Sequence, residues 1–238
     1  RVMGVELAAH GRWYNGVDEH KGMRFKRVST CLNAINKPQL SAWREKQLLD
    51  AVNRELITLQ SAQVATNIEA VLEAAKDSLT SMVEETADFG TQAHDIIQRL
   101  TSNEPADELT GDMAEVVMAW LEWRIKTDIV IHETEVTVYS DKLMVAGTID
   151  WIGHDKEERL VIGDYKTGGV WPEAAYQLAA YARLWSDMGN PPISRGLIVQ
   201  LSKDGTFTEY EISDLRGEAL DVFLATRSIV FAGDKPWM

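Results

Sequence analysis

The sequence predicts an α/β fold in which a central mixed β-sheet is flanked by helices, with a helical lobe towards the N-terminus. Apolar residues recur at helical spacing over residues 41–84 and 111–126. From residue 129 onwards, segments at 129–139, 142–152, 159–167, 195–201 and 207–212 are typical of strands. A helix over residues 173–188 separates the third strand from the fourth. Because a strand–helix–strand crossover places its two strands parallel, we expect a mixed sheet.

The elements predicted before these strands are a hairpin and several helices. Residues 11–28 are typical of a hairpin, with Trp13 and Tyr14 before a turn. Helices follow, and residues 88–91 predict the start of a further helix that carries His94. We therefore expect an N-terminal hairpin and helical lobe over residues 1–86. They would pack on a core of residues 87–238 within one compact domain.

Composition limits the classes of protein to which the chain can belong. The 238 residues are 45% hydrophobic and 26% charged, as in ordinary globular proteins. The single cysteine, Cys31, excludes an intramolecular disulfide and a cysteine-ligated metal cluster within one chain. No apolar run approaches the length that spans a membrane, and no signal peptide is evident. We expect no membrane partner and a cytoplasmic location, which would be the host cytoplasm if the protein is phage-encoded.

The charge is distributed unevenly along the chain. The net charge is −13, which by itself argues against a nucleic-acid partner. The first 46 residues nevertheless contain nine Lys/Arg and four Asp/Glu, so they carry +5 and the remainder carries −18. A basic N-terminal section on an acidic body is compatible with local phosphate contacts, and equally with a solvated surface.

Chemistry-bearing residues concentrate between residues 147 and 181. Asp150 ends the core of one predicted strand, and Asp164 and Lys166 lie near the end of the next, on one face of it. Antiparallel pairing would bring the two carboxylates together, and they would repel unless a cation lay between them. Oxygen ligands suit Mg²⁺ or Mn²⁺. A turn-initiating Asp150 and a surface Asp164–Lys166 ion pair remain the alternative.

The helix after these strands adds two polar side chains on one face. Gln177 and Tyr181 are four residues apart, so both project from the same side of the helix. A glutamine on an otherwise apolar face has no explanation in packing alone. The Gly168-Gly169 pair allows a tight exit from the strand that carries Lys166.

This order of motifs resembles the RecB-like nucleases of the PD-(D/E)XK superfamily, which include phage exonucleases and the nucleases of CRISPR adaptation. Similar motifs are a G-x-x-D strand, a D-x-K strand, a Q-x-x-x-Y helix and an upstream Gly-Thr pair before a histidine. Here they are Gly147–Asp150, Asp164–Lys166, Gln177–Tyr181 and Gly90–His94. The pattern S-x-x-L-N-x-x-x-K-P-x-L-x-x-W from Ser29 to Trp43 also resembles phage members, so the resemblance covers nearly the whole chain.

The resemblance implies a restriction-endonuclease-like core and a metal-dependent DNA exonuclease of recombination, repair or phage DNA processing. It implies Mg²⁺ or Mn²⁺ held by His94, Asp150, Asp164 and the main-chain carbonyl of Tyr165, with Glu135 as acidic support. It further implies catalytic roles for Asp150, Asp164, Lys166, Gln177 and Tyr181. Some relatives carry an iron–sulfur cluster on four cysteines, which this chain lacks.

Partners and alternatives follow from the same resemblance. The substrate would be a single- or double-stranded DNA end, with a recombination or single-strand-binding protein as a further partner. Candidate backbone contacts are Arg24, Lys26, Arg27, Lys37 and Arg44, and Trp171 is a candidate for base stacking. An endonuclease on the same core is one alternative. A non-catalytic acidic interaction protein or DNA mimic is the other.

Overall fold

A computed structural model describes residues 8–10, 13–16, 20–35, 37–61, 68–106 and 108–233. Eight strands and six helices lie in these ranges. The strands are β1 (Ala8–His10), β2 (Trp13–Asn15), β3 (Arg24–Arg27), β4 (Val130–Ser140), β5 (Val145–His154), β6 (Leu160–Lys166), β7 (Arg195–Leu201) and β8 (Phe207–Ile212). The helices are α1 (Val28–Leu32), α2 (Pro38–Ser61), α3 (Ile68–Thr101), α4 (Gly111–Lys126), α5 (Pro172–Asp187) and α6 (Glu218–Gly233).

The strands form one mixed sheet, as the sequence predicts. Its order is β1-β2-β3-β5-β6-β7-β8, and β4 pairs with β5 outside this path. The crossover through α5 makes β6 and β7 parallel, and β3 also runs parallel to β5. All other pairs are antiparallel. The predicted hairpin is confirmed by the pairing of β2 with β3, and it is part of the sheet.

The two faces of the sheet are covered by different helices. Ile162 and Ile198 belong to a buried cluster with Leu178 and Leu184 of α5, so α5 covers one face. Tyr165, whose side chain projects to the other side of β6, meets Trp123 of α4. Each helix therefore buries an apolar side against its own face of the sheet. Asp150 lies in the middle of β5 rather than near the end of its strand as predicted, whereas Asp164 and Lys166 lie at the end of β6.

Residues 36–92 form a separate compact unit, and residues 1–35 and 93–238 form the other. The helical lobe predicted before the core corresponds to α2 and most of α3. The predicted domain boundary between residues 86 and 87 stays a prediction. Within the part of the chain that the structure describes, no helix is both long enough and apolar enough to cross a bilayer.

The helix start expected at residues 88–91 is wrong. Helix α3 runs without interruption from Ile68 to Thr101, so Gly90 and Thr91 lie inside it. The hydroxyl of Thr91 donates to the carbonyl of Ala87 at 3.0 Å, one turn back, rather than capping a new helix. His94 therefore lies in the C-terminal part of a 34-residue helix.

Candidate metal and phosphodiester site

Strand pairing places Asp150 and Asp164 at neighbouring positions. The paired register of β5 and β6 ends with Trp151 opposite Gly163, and extending it by one residue places Asp150 opposite Asp164. Burial, and after it the negative charge of Asp164, raise the pKa of Asp150. The proximity of the two carboxylates that the sequence predicts is therefore present in the fold.

The regular alternation of β5 breaks at Asp150. Ile149 and Ile152 are three residues apart, yet both belong to the core cluster under α5. On β4, Glu135 lies between the pairs Thr134–Trp151 and Val136–Ile149, and so faces Asp150. Its φ is +52°, a left-handed conformation that is costly for a residue with a side chain. This local distortion brings the Glu135 and Asp150 carboxylates towards one point.

His94 is the third member of this group of candidate metal ligands. Its Nε2 donates to the main-chain carbonyl of Tyr165 at 3.0 Å, and its Nδ1 lies 3.4 Å from Oδ2 of Asp150. One ligand atom from each of His94, Glu135 and Asp150 lies within 4.8 Å of the others. The helix that carries His94 and the end of β6 thus converge with β4 and β5 on one small volume.

The donor types of this group fit a small divalent ion. The two contacts of His94 use different ring nitrogens, Nε2 towards the Tyr165 carbonyl at 3.0 Å and Nδ1 towards Asp150 at 3.4 Å. An ion bound beside Asp150 would therefore take Nδ1 as its histidine ligand. Carboxylate and carbonyl oxygens with one imidazole suit Mg²⁺ or Mn²⁺. The group of candidate ligands includes Glu135, to which the resemblance gave only a supporting role.

Asp164 is directed to Lys166 rather than into that ligand group. Its Oδ2 lies 2.5 Å from the Lys166 ammonium, and its side chain is only 2% exposed. Burial by itself lowers the pKa of Lys166, but the carboxylates of Asp164 and Asp150 outweigh this effect and raise it. Lys166 is therefore a charged ammonium next to the carboxylates.

The pKa values of the acids Asp150 and Glu135 are also raised, which favours their neutral forms. Burial, followed by the charge of Asp164, raises the pKa of Asp150 to about 7 despite the opposing effects of His94 and Lys166. Partial burial also raises the pKa of Glu135, and the positive potential of His94 lowers it in part. A divalent cation would offset the repulsion between these carboxylates.

This pKa predicts how metal affinity depends on pH. A metal ion must displace the proton from Asp150, so Mn²⁺ affinity should rise by about tenfold per pH unit below pH 7 and level off above it. Calorimetric titration with Mn²⁺ from pH 5.5 to 8.5 measures this dependence. A pH-independent affinity over that range would contradict the placement of Asp150 as a ligand.

Tyr181 and Gln177 form a hydrogen-bonded pair beside the carboxylates. The Gln177 amide donates to the Tyr181 hydroxyl at 2.8 Å. The Tyr181 ring lies against Gly147, where a Cβ would be only 2.3 Å from Cε1 of the ring. Burial and then the charge of Asp164 raise the pKa of Tyr181. The glycine of the G-x-x-D pattern therefore makes room for the tyrosine of the helix pattern.

Aromatic packing supports the strand that carries the site. The Trp120 indole donates to the Tyr165 hydroxyl at 3.1 Å, and the rings of Trp123 and Trp151 lie near the Tyr165 ring. The backbone N–H of Tyr165 donates to Oδ2 of Asp150 at 2.7 Å. Because its ring is held in place, Tyr165 presents its N–H to Asp150 and its carbonyl to His94. All three tryptophans are buried.

The candidate DNA-binding residues lie in different environments. Lys26 is only 4% exposed, with its ammonium 4.3 Å from the centre of the Trp13 ring, so it is not offered to a backbone phosphate. Arg24 is exposed, and Arg27 is half-buried over the Tyr14 ring. Lys37 and Arg44 belong to the separate unit of residues 36–92. Trp171 is 45% exposed at the start of α5.

Three polar residues near the site were not singled out from the sequence. The hydroxyls of Tyr14 and Thr148 are 3.0 Å apart, and Thr148 precedes Asp150 by two residues on the same strand. Gln200 on β7 donates to the carbonyl of Gly168 at 2.8 Å, directly after the strand that carries Lys166. A polar residue interrupting the apolar run of β7 was the available signal for Gln200.

Comparison with known proteins finds a solved structure with a low similarity to this chain. No family model matches the chain, and no curated protein matches it. The solved crystal structure of SSO0001 is similar at 18% identity and a TM-score of 0.34, over 52% of this chain and 61% of that one. The chain thus spans less than two thirds of that structure's length. A likeness at this TM-score carries no argument about function.

Proposed function

We propose that the protein is a metal-dependent nuclease that hydrolyses phosphodiester bonds of DNA from an end. The observation that carries the proposal is the convergence of His94, Asp150, Glu135 and the Tyr165 carbonyl beside the buried Asp164–Lys166 pair. A purely structural ion pair would not need a histidine and two further acids whose ligand atoms lie within 4.8 Å of one another. The resemblance to RecB-like nucleases of the PD-(D/E)XK superfamily agrees with it and suggests the exonuclease form.

Each side chain has a role that its contacts support. Asp150, His94, Glu135 and the Tyr165 carbonyl would hold Mg²⁺ or Mn²⁺. When bound, the ion polarises the scissile phosphate and lowers the pKa of a coordinated water. Lys166 stays protonated next to Asp164, so it stabilises the negative charge that grows on the phosphate oxygens.

The remaining residues position these groups. Asp164 orients the Lys166 ammonium through their 2.5 Å contact and contributes negative charge next to Asp150. Gln177 fixes the Tyr181 hydroxyl, which lies close enough to Asp164 for that charge to raise its pKa. Because Tyr181 remains a neutral hydroxyl, it would donate to a phosphate oxygen.

The decisive experiment compares linear and circular DNA. With Mn²⁺ or Mg²⁺, we expect the protein to degrade end-labelled linear DNA and to leave a covalently closed plasmid intact. Cleavage of the closed plasmid would assign an endonuclease instead. No hydrolysis of any DNA with either metal would overturn the proposal and would favour a non-catalytic interaction protein or DNA mimic.

Lys166→Gln tests the assignment within the site. The amide still donates to Asp164 but carries no charge, so we expect the rate of hydrolysis to fall by about 100-fold. Lys156→Gln, on the exposed turn between β5 and β6, is the matched control and should retain full activity. Circular dichroism would establish that both variants are folded. Full activity in Lys166→Gln would contradict the role of this lysine.

A further inference from the structure

The face of the sheet that carries Asp164 and Lys166 continues to the far edge of the sheet. Across β6, β7 and β8, one row of paired residues is Asp164–Ile198–Tyr210, and the next is Lys166–Gln200–Thr208. Paired residues project from the same face, so Gln200, Thr208 and Tyr210 share the side on which Lys166 lies. Helix α5 covers Ile198 on this side, while Thr208 and Tyr210 remain exposed.

Hydrogen bonds connect this surface to the turn that follows Lys166. The Tyr210 hydroxyl donates to the Gln200 side-chain oxygen at 3.1 Å, and the Gln200 amide donates to the Gly168 carbonyl at 2.8 Å. Gly169, next in the turn, packs against Trp171, since a Cβ on it would lie 3.2 Å from the indole. Two exposed aromatic rings are thus attached to one short segment beside Lys166. We call Trp171, Gln200, Thr208 and Tyr210 the aromatic edge surface.

The acidic residues of β8 project away from this surface. Glu209 accepts a hydrogen bond from the Trp123 indole at 2.6 Å, and Glu211 pairs with Arg195 at 2.9 Å. Both partners lie on the opposite side of the sheet, because Trp123 belongs to the cluster around Tyr165. The members of the aromatic edge surface are two aromatic rings, one amide and one hydroxyl, and none is charged. The alternation of β8 therefore separates its acids from its exposed tyrosine.

This composition suits nucleotide bases better than a double helix. Base–aromatic stacking does not depend on a protein charge, and amide and hydroxyl groups can bond to base edges. A duplex would present two rows of phosphates and would need several cations in their path. None of the four residues of the aromatic edge surface is a cation, and Lys166 beside it is a single one. Trp171 and Tyr210 are 45% and 40% exposed.

We propose that the aromatic edge surface binds unpaired bases of a DNA strand whose phosphate reaches Lys166, which makes a single-stranded end the substrate. This inference rests on the proposed function for its direction, since the strand must lead to the metal and lysine site. Trp171 and Tyr210 stack on bases. Gln200 maintains the turn that joins them to Lys166.

Binding measured without hydrolysis tests this inference. Fluorescence anisotropy of a labelled single-stranded oligonucleotide, and of the same sequence as a duplex, is recorded in EDTA with each variant. Trp171→Ala and Tyr210→Ala should each raise the Kd for the single strand by about tenfold, the usual cost of losing one stacked base. Ile125→Ala removes an exposed apolar side chain of α4, outside the aromatic edge surface, and is the control, with a Kd within twofold of the wild type. The duplex Kd should not change.

Several outcomes would overturn the inference. Unchanged single-strand affinity in both alanine variants would do so, as would equal weakening of single-strand and duplex binding. Absence of any single-strand binding by the wild-type protein would also do so. Because the assay contains no metal, it is independent of hydrolysis. Single-strand binding without cleavage when Mn²⁺ is added would count against the proposed nuclease only. Cleavage by the wild type without the expected change in Kd in the variants would count against the aromatic edge surface only.

Discussion

Asp150→Asn is expected to abolish DNA hydrolysis and Mn²⁺ binding while leaving the protein folded. Asp150 contacts His94, lies opposite Glu135 and accepts the N–H of Tyr165. An asparagine keeps the shape and one acceptor oxygen but removes the charge that a divalent ion requires. Activity should fall by at least about 1000-fold, as expected when a central electrostatic group of a reaction is lost. Initial rates on linear DNA and calorimetric titration with Mn²⁺ measure the two effects.

Stability separates loss of a ligand from loss of fold in that variant. The folded-state pKa of Asp150 is raised from 3.8 to about 7, so the metal-free wild type loses stability as pH rises between those values. Asp150→Asn lacks this titration and should lose less stability over the same range in urea unfolding. Asp221→Asn, at an exposed position of α6, is the control and should match the wild type in activity and Mn²⁺ binding. A folded Asp150→Asn with normal Mn²⁺ affinity would contradict the site.

Gly163→Ala is expected to destabilise the protein by about 3 kcal/mol, near the upper end of the usual cost of overpacking a core. A Cβ at this position would lie 1.7 Å from the Trp151 ring, far inside contact distance. The ring cannot move aside easily, because it packs near Trp123 and Tyr165. Urea unfolding at neutral pH, in the presence of EDTA, measures the change in free energy of unfolding.

Gly168→Ala is the matched control for that substitution. Nothing lies within 4 Å of a Cβ at Gly168, so its free energy of unfolding should remain within about 0.5 kcal/mol of the wild type. If the two variants were equally stable, the close packing of Trp151 on β6 would be wrong. The comparison of the two variants also tests whether β6 lies where the structure places it. A shift of β6 would move both Asp164 and Lys166.

Much of the sheet could be predicted because its strands are short apolar, β-branched runs bounded by turn residues. The sequence of β4 also alternates, whereas β6 and β7 are buried along nearly their whole length. The predicted bounds of β7 and β8 coincide with those observed, and β4 differs by one residue at each end. The error at residues 88–91 has a simple cause. One glycine costs a helix only about 1 kcal/mol relative to alanine, which is too little to end a long helix that is otherwise favourable. A glycine and a threonine therefore do not mark a helix start by themselves.

The candidate site was predictable only in part. Pairing of consecutive strands is local, so the approach of Asp150 to Asp164 follows from sequence alone. The contact of His94 with the Tyr165 carbonyl depends on where α3 meets the sheet, which no spacing reveals. Glu135 adopts a left-handed φ against the preference of its residue type. Gln200 on β7 donates a hydrogen bond to the carbonyl of Gly168, in the turn that follows β6. Long-range packing decides both, and propensities do not encode it.

The parallel pairing of β3 with β5 has a consequence for the order of folding. Lys26 pairs with Val145 and Arg27 with Ala146, so residues made before both long helices pair with a strand made after them. The hairpin of β2 and β3 can form locally, but β3 cannot pair with β5 until β5 has emerged from the ribosome. Contacts so distant in sequence slow folding, since a long loop must close before they add stability. During translation, the β3 edge would therefore stay open to pairing with other chains, and the central strand β5 is what closes it.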